Sequence, residues 1–191
     1  MRQINLLNVT IHNISMQELL DRLRNGGIVF TPNVDHVMKL QKNREFYGVY
    51  QEADYRVCDS KVLMHVSSFL GTPIQEKISG SDLFPAFYDY YKRDENITIF
   101  LLGSETKVVE QAQKKVNTKM GRDIVVAAHS PSFGFEENEQ ECQKIVELIN
   151  DSQATVLAIG VGAPKQEMWI IKYREQLKYV KIFRNTGCVR H

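Results

Sequence analysis

Short apolar, β-branched runs alternate with amphipathic stretches along almost the whole chain. Ile28-Val29-Phe30, Tyr55-Arg56-Val57-Cys58, Ile97 to Leu102, Ile124 to Ala128 and Thr155 to Ile159 have the length and composition of buried strands. Tyr179 to Phe183 is expected to add a last one, and residues 1–11 one or two short strands more. Between them the apolar positions fall at helical spacing. Cys142, Ile145, Val146 and Ile149, at i, i+3, i+4 and i+7, are the clearest case.

The helix ends are marked as well. Ser15-Met16-Gln17-Glu18 has the form of a capping box before Leu19, Leu20 and Leu23, and Asn25-Gly26-Gly27 closes that helix. Val34, Val37 and Met38 begin a helical pattern that Phe46, Val49 and Tyr50 continue. Val62, Leu63, Val66, Phe69 and Leu70 form another, broken by Gly71-Thr72-Pro73. Leu83, Phe84, Phe87 and Tyr91 form a third, with Asp82 expected as its N-cap, and Val108, Val109, Ala112 and Val116 a fourth. Strands alternating with helices predict an α/β fold: a parallel sheet covered by helices on both faces, in one domain over residues 1–191.

In such a sheet the ligand crevice lies outside the C-terminal ends of the strands. Thr31 and Asn33, Asp59 and Ser60, Gly103 and Ser104, His129 and Ser130, and Gly160 to Gln166 fall there. The stretch from Thr155 to Ile171 is the most informative. Its strand runs into Gly160 and Gly162, then into Pro164 at the expected first turn of a helix. Lys165, Gln166 and Glu167 follow where free backbone N–H groups would face a ligand. The turn is not a dinucleotide fingerprint, because Lys165 stands where a third glycine is needed, and no Walker A, HExxH or GxSxG motif occurs.

Several of these residues have two readings. Asp59 is a candidate general base for an acceptor hydroxyl, or an N-cap for the following helix. Thr31 and Asn33 suit ligand binding and suit a turn equally. Lys77 can meet a phosphate as a point charge or stay solvated.

Composition narrows the class. Of 191 residues 43% are hydrophobic and 25% charged, and the net charge of +1 gives no global field for nucleic acid. Cys58, Cys142 and Cys188 are far apart, with no CxxC pair, which fits a reducing compartment rather than a zinc or disulfide framework. No apolar run approaches the roughly 18 residues of a spanning helix, and the N-terminus has no signal-peptide pattern.

Taken together, Thr31-Pro32-Asn33, the strand ending in Asp59, Glu76 to Leu83, Leu101-Leu102-Gly103 and Gly160 to Glu167 occur in an order that resembles the TagA/WecG/CpsF glycosyltransferases. The resemblance covers roughly residues 4–183. It implies a Rossmann-like fold and an inverting transfer of a sugar, usually N-acetylmannosamine, from a UDP-sugar donor. The implied acceptor is a polyprenyl-diphosphate-linked N-acetylglucosamine of bacterial surface-polymer synthesis. It further implies Asp59 as catalytic base with Thr31 beside it. Asn33, Lys77, Gly80, Asp82, Gly103, Gly160, Gly162 and Gln166 become expected donor-site residues. No metal and no cofactor are expected. A cytoplasmic location, with peripheral contact at the inner membrane face, follows from the acceptor.

Three features depart from the family pattern. Ser60 replaces the glycine usual after the aspartate, and Lys77 replaces an arginine, losing its bidentate fork. After the last strand the family continues with a glycine-rich turn and a basic segment, whereas here the sequence given stops at His191. Homo-oligomers through the uncovered surface are therefore expected. The alternative is a nucleotide-sugar-binding module without turnover.

Overall fold

A computed structural model describes residues 1–103 and 105–185. Ser104, Cys188 and the terminal segment from Thr186 to His191, all singled out above, lie outside the described residues.

Residues 1–12 form two strands, β1 (Gln3–Leu6) and β2 (Val9–His12), paired as an antiparallel hairpin apart from the main sheet. The main sheet has six strands, all parallel: β3 (Gly27–Phe30), β4 (Tyr55–Arg56), β5 (Ile99–Gly103), β6 (Val125–His129), β7 (Val156–Gly160) and β8 (Ile182–Asn185). Their order is β4-β3-β8-β7-β5-β6. The last strand in sequence therefore lies inside the sheet, between β3 and β7. It also starts and ends later than its apolar pattern predicts, because Arg184 and Asn185 continue the ladder opposite Ala158 and Ile159.

Among the described residues the α-helices are α1 (Met16–Arg22), α2 (Val34–Leu40), α3 (Arg44–Gln51), α4 (Lys61–Phe69), α5 (Gly80–Tyr90), α6 (Thr106–Met120), α7 (Glu139–Asp151) and α8 (Lys165–Tyr173). Alternate strand residues feed two cores. Ile28, Phe30, Leu157 and Ile159 meet α2, α3, α7 and α8 on one face. Val29, Val156, Ala158 and Leu101 meet α1, α5 and α6 on the other. Every residue of β5 is buried, as a strand covered on both faces requires. The Rossmann-like, doubly covered parallel sheet is thus present.

The single pattern read from Val34 to Tyr50 is two helices. The first ends at Leu40 with Gln41 as its C-cap, and Asn43 caps the second, accepting from Phe46 N at 2.9 Å. The end of α3 is sealed by Arg56, whose Nη1 donates to the carbonyls of Tyr50, Gln51 and Ala53. Ser15 caps α1 as expected, but Glu18 does not reach back. Its carboxylate pairs with Arg22, and Glu76 takes the Met16 N–H instead.

Candidate functional site

All six strands of the sheet run the same way, so their C-terminal ends share one edge. Along that edge stand Asp59, Thr31, Asn185, Gly160, Gly103 and His129, in the order of the strands. Asp59 is drawn to the Thr31-Pro32-Asn33 turn by its own N–H, which donates to the Pro32 carbonyl at 2.9 Å. The segment from Lys77 to Asp82 does not follow a strand, yet it joins the same group. Ile78 N–H donates to the Cys58 carbonyl at 2.8 Å and pins it beside Asp59.

The capping alternative for Asp59 is excluded. Ser60 is the N-cap of α4, accepting from Leu63 N at 3.2 Å, which leaves the Asp59 carboxylate outside the cap. That carboxylate has the Lys77 ammonium 3.9 Å away and accepts a hydrogen bond from the Gly80 N–H. Burial raises its pKa from 3.8 to about 6; Lys77 and the Gly80 N–H pull it down, and Asp82 pushes it up. A carboxylate tuned upward beside a cation at the crevice edge can take a proton near neutral pH.

Asp82 is not the N-cap. Ser79 caps α5, accepting from Asp82 N at 3.1 Å, and its Oγ donates to the Asp82 carboxylate at 2.5 Å. The same carboxylate binds Lys77 at 2.9 Å, so Lys77 is held between two acids rather than free. Asn33 is also a cap, accepting from His36 N at 3.0 Å, and Thr31 is buried.

The glycine turn is built differently from its sequence reading. Pro164 occupies the N-cap position of α8, after a cis Ala163–Pro164 peptide, and not its first turn. The N–H of Gln166 donates to the Gly162 carbonyl at 3.1 Å and the N–H of Glu167 is taken by its own carboxylate. The Gln166 side chain closes the turn from the other direction: Oε1 accepts from Gly162 N and Nε2 donates to Glu167. Gly162 has φ of +90°, a conformation that favours glycine. Gly103 has φ of +132°, and a Cβ there would stand 2.6 Å from the Gly160 carbonyl oxygen across the β5–β7 ladder.

Three buried polar residues stand behind the edge: Arg184 and Asn185 were not read as site residues in the sequence, and Glu167 was read only as part of the helix start. Glu167 is fully buried and accepts from Gln166 Nε2 and from Asn185 Nδ2, at 2.9 and 2.7 Å. Burial raises its pKa from 4.5 to about 7. Arg184, also fully buried, donates to the Gly80 carbonyl and lies over the rings of Phe84 and Phe87. The available signal was a polar Arg-Asn pair directly after an apolar strand.

A pocket of about 400 Å³ opens beside the turn, lined by Ser132, Phe133, Gly160, Gly162 and Lys165 among others. The Phe133 ring is fully exposed, and Lys165 Nζ lies 5.0 Å from its centroid. Among the described residues no group of three His, Cys, Asp or Glu side chains is arranged to hold a metal ion. Nor is any helix among them long and apolar enough to cross a membrane.

Fold and crevice define a Rossmann-like α/β protein whose polar site lies at the carboxyl edge of the sheet. Within that class, the chain belongs to the WecG/TagA/CpsF family of glycosyl transferases, whose family profile matches residues 4–189. It is similar to the N-acetylglucosaminyldiphosphoundecaprenol N-acetyl-beta-D-mannosaminyltransferase of Bacillus spizizenii. The two are 27% identical over 150 residues, covering 78% of this chain and 55% of that protein. The transferase of the same name from Staphylococcus aureus is 24% identical over 189 residues, covering 92% of this chain and 70% of its own length. The chain thus spans little more than half the length of the Bacillus protein.

Proposed function

We propose that this protein transfers a sugar, N-acetylmannosamine, from a UDP-sugar to a hydroxyl of a polyprenyl-diphosphate-linked N-acetylglucosamine, with Asp59 as general base. The observation that carries the reading is the Asp59 carboxylate itself: released from capping by Ser60, raised by burial, and facing Lys77 at the crevice edge. Family membership and the two relatives support the sugar and the acceptor.

The roles divide along the edge. Asp59 removes the acceptor proton as the hydroxyl attacks, so inversion needs one displacement and no covalent intermediate. Thr31 lines the base. Lys77, held by Asp82 and near Asp59, supplies positive charge for the leaving diphosphate. The pocket beside Gly160 and Gly162 takes the nucleotide, with the open face of Phe133 available to a base. Gln166 and Asn33 act through the turns they hold, Gln166 by closing on Gly162 and Asn33 by capping α2.

The test is transfer from UDP-N-acetylmannosamine to a lipid-linked N-acetylglucosamine acceptor, alongside thermal shifts with UDP. Asp59→Asn is expected to abolish transfer and keep the UDP shift. Wild-type turnover in that variant overturns the base assignment. A UDP shift without any turnover in the wild-type chain identifies a binding module instead.

A further inference from the structure

Large apolar side chains left in water concentrate on one helix. Val62, Val66, Phe69 and the adjoining Leu70 are 58%, 43%, 91% and 59% exposed. They follow i, i+4, i+7 and i+8 spacing, so they form one stripe along α4. The neighbouring side of the helix, bordering the stripe at Leu70, carries Leu63 and Ser67, which are buried in the protein. The apolar positions of α7, by contrast, all face the core. A stripe of this kind next to a polar site marks a surface that is covered in use.

Its position narrows what covers it. Ser60, the N-cap of α4, directly follows Asp59, so the helix leaves from the site itself. The exposed residues Lys61 and His65 run along one flank of the stripe. Beyond them a groove of about 590 Å³ is lined by Lys61, His65, Ser68, Gln75, Glu76 and Lys77. The Glu76 carboxylate in that groove is engaged by the Met16 N–H, and Lys77 leads on to Asp59 at 3.9 Å. From the outside inward the order is therefore apolar stripe, polar groove with Lys61 at its outer end, carboxylate. An acceptor made of an isoprenoid chain, a diphosphate and a sugar hydroxyl has the same order, and both relatives are named for such an acceptor.

We propose that α4 seats this protein on an anionic lipid bilayer, and that the groove beside it carries the acceptor diphosphate inward to Asp59. The inference rests on the lipid-linked acceptor proposed above. Val62, Val66, Phe69 and Leu70 enter the interfacial layer as the apolar face of a surface-lying helix, and Lys61 and His65 meet the headgroups.

The experiment is co-sedimentation of the purified chain with phosphatidylcholine vesicles, with and without phosphatidylglycerol. Binding to the anionic vesicles is expected, weakened by added salt. The double variant Phe69→Ser, Leu70→Ser is expected to lose about tenfold or more in vesicle affinity, since two large side chains no longer leave water. Lys61→Glu is expected to weaken binding to the anionic vesicles selectively. A UDP thermal shift on each variant shows that the fold and the donor pocket persist. Absence of vesicle binding by the wild-type chain overturns the proposal, as does equal binding by the double variant. So does a wild-type oligomer in sizing chromatography that the double variant dissociates, which would make the stripe a self-interface. If the UDP shift is missing in the wild type while vesicle binding follows α4, the donor reading fails and the docking surface stands.

Discussion

Arg184 donates from Nη2 to the carbonyl oxygen of Gly80 at 3.1 Å, and the N–H of that same Gly80 is the one that Asp59 accepts. A residue from the last strand thus fixes the start of α5, and with it one partner of the candidate base. The anchor is a buried cation held by carbonyls and aromatic rings, with no carboxylate partner among the described residues. Among the described residues Nε and Nη1 of Arg184 meet no hydrogen-bond acceptor, and complete burial lowers its pKa to about 9. Replacing such a group with an apolar side chain of similar length is often neutral or stabilising. Arg184→Met is therefore expected to unfold within about 1 kcal/mol of wild type, or later, in urea. The Asp59 pKa, followed by carbon NMR of its carboxyl, is expected to rise as Gly80 loosens. The other charged neighbours, Lys77 and Asp82, stay in place.

The acid limb of catalysis should report Asp59. Its carboxyl must be ionised to accept a proton, and burial places its pKa at about 6. The rate constant kcat/KM is expected to fall tenfold per pH unit below that value and to level off above it. Lys77→Met removes the nearest cation, so the limb is expected to move to higher pH. A pH–rate profile of both proteins measures this.

Glu167 should make the fold less stable as pH rises. Its pKa is raised in the folded protein, from 4.5 to about 7, so the folded state holds its proton more tightly than the unfolded chain. The associated stability is complete below about pH 4.5 and is lost as pH climbs through 7, a change of about 3 kcal/mol. His36 acts in the opposite sense. Burial lowers its pKa to about 4, so its contribution is lost as pH falls from 6.5 towards 4. Comparing wild type with Glu167→Gln isolates the first effect. The variant is expected to gain relative stability between pH 5 and pH 8, measured by denaturant unfolding.

Gly103→Ala is expected to destabilise strongly. The residue combines φ of +132° with no space for a side chain, since the Gly160 carbonyl oxygen would lie 2.6 Å from the new Cβ. Backbone strain alone costs roughly 1–3 kcal/mol, and separating β5 from β7 adds to it. Gly162→Ala meets no neighbour and carries only the strain of φ +90°, so it should lose less. Urea midpoints of the two variants give the comparison.

Much of the fold was legible in the chain because local signals and tertiary environment agree there. Runs such as Ile99 to Leu102 are apolar throughout because both faces of a parallel strand are covered, and Cys142 to Ile149 repeats with the helical period because one face is. The break at Asn43 was missed because its neighbours on both sides keep that period, and only the cap distinguishes two helices from one. Asp59 was ambiguous because a carboxylate before a helix suits capping as well as catalysis. Ser60 takes the cap, and no local rule ranks the two residues.

The sequence by itself determined the alternation of strands and helices, the edge on which the polar residues gather, and the family resemblance of its ordered motifs. The first two follow from hydrophobic period and strand direction, which are local properties, and the resemblance from the residue types and order of the motifs. The tertiary structure alone decided that β8 enters the sheet between β3 and β7, which brings Asn185 to Glu167 and Arg184 to Gly80. It also decided that Lys77 stands between two carboxylates, and that the apolar side of α4 faces water. Those facts depend on contacts between residues as far apart in the chain as Gly27 and Ile182. Long-range pairing leaves little trace in the local pattern, because a buried arginine and an exposed phenylalanine look, in one dimension, like errors in an otherwise regular period.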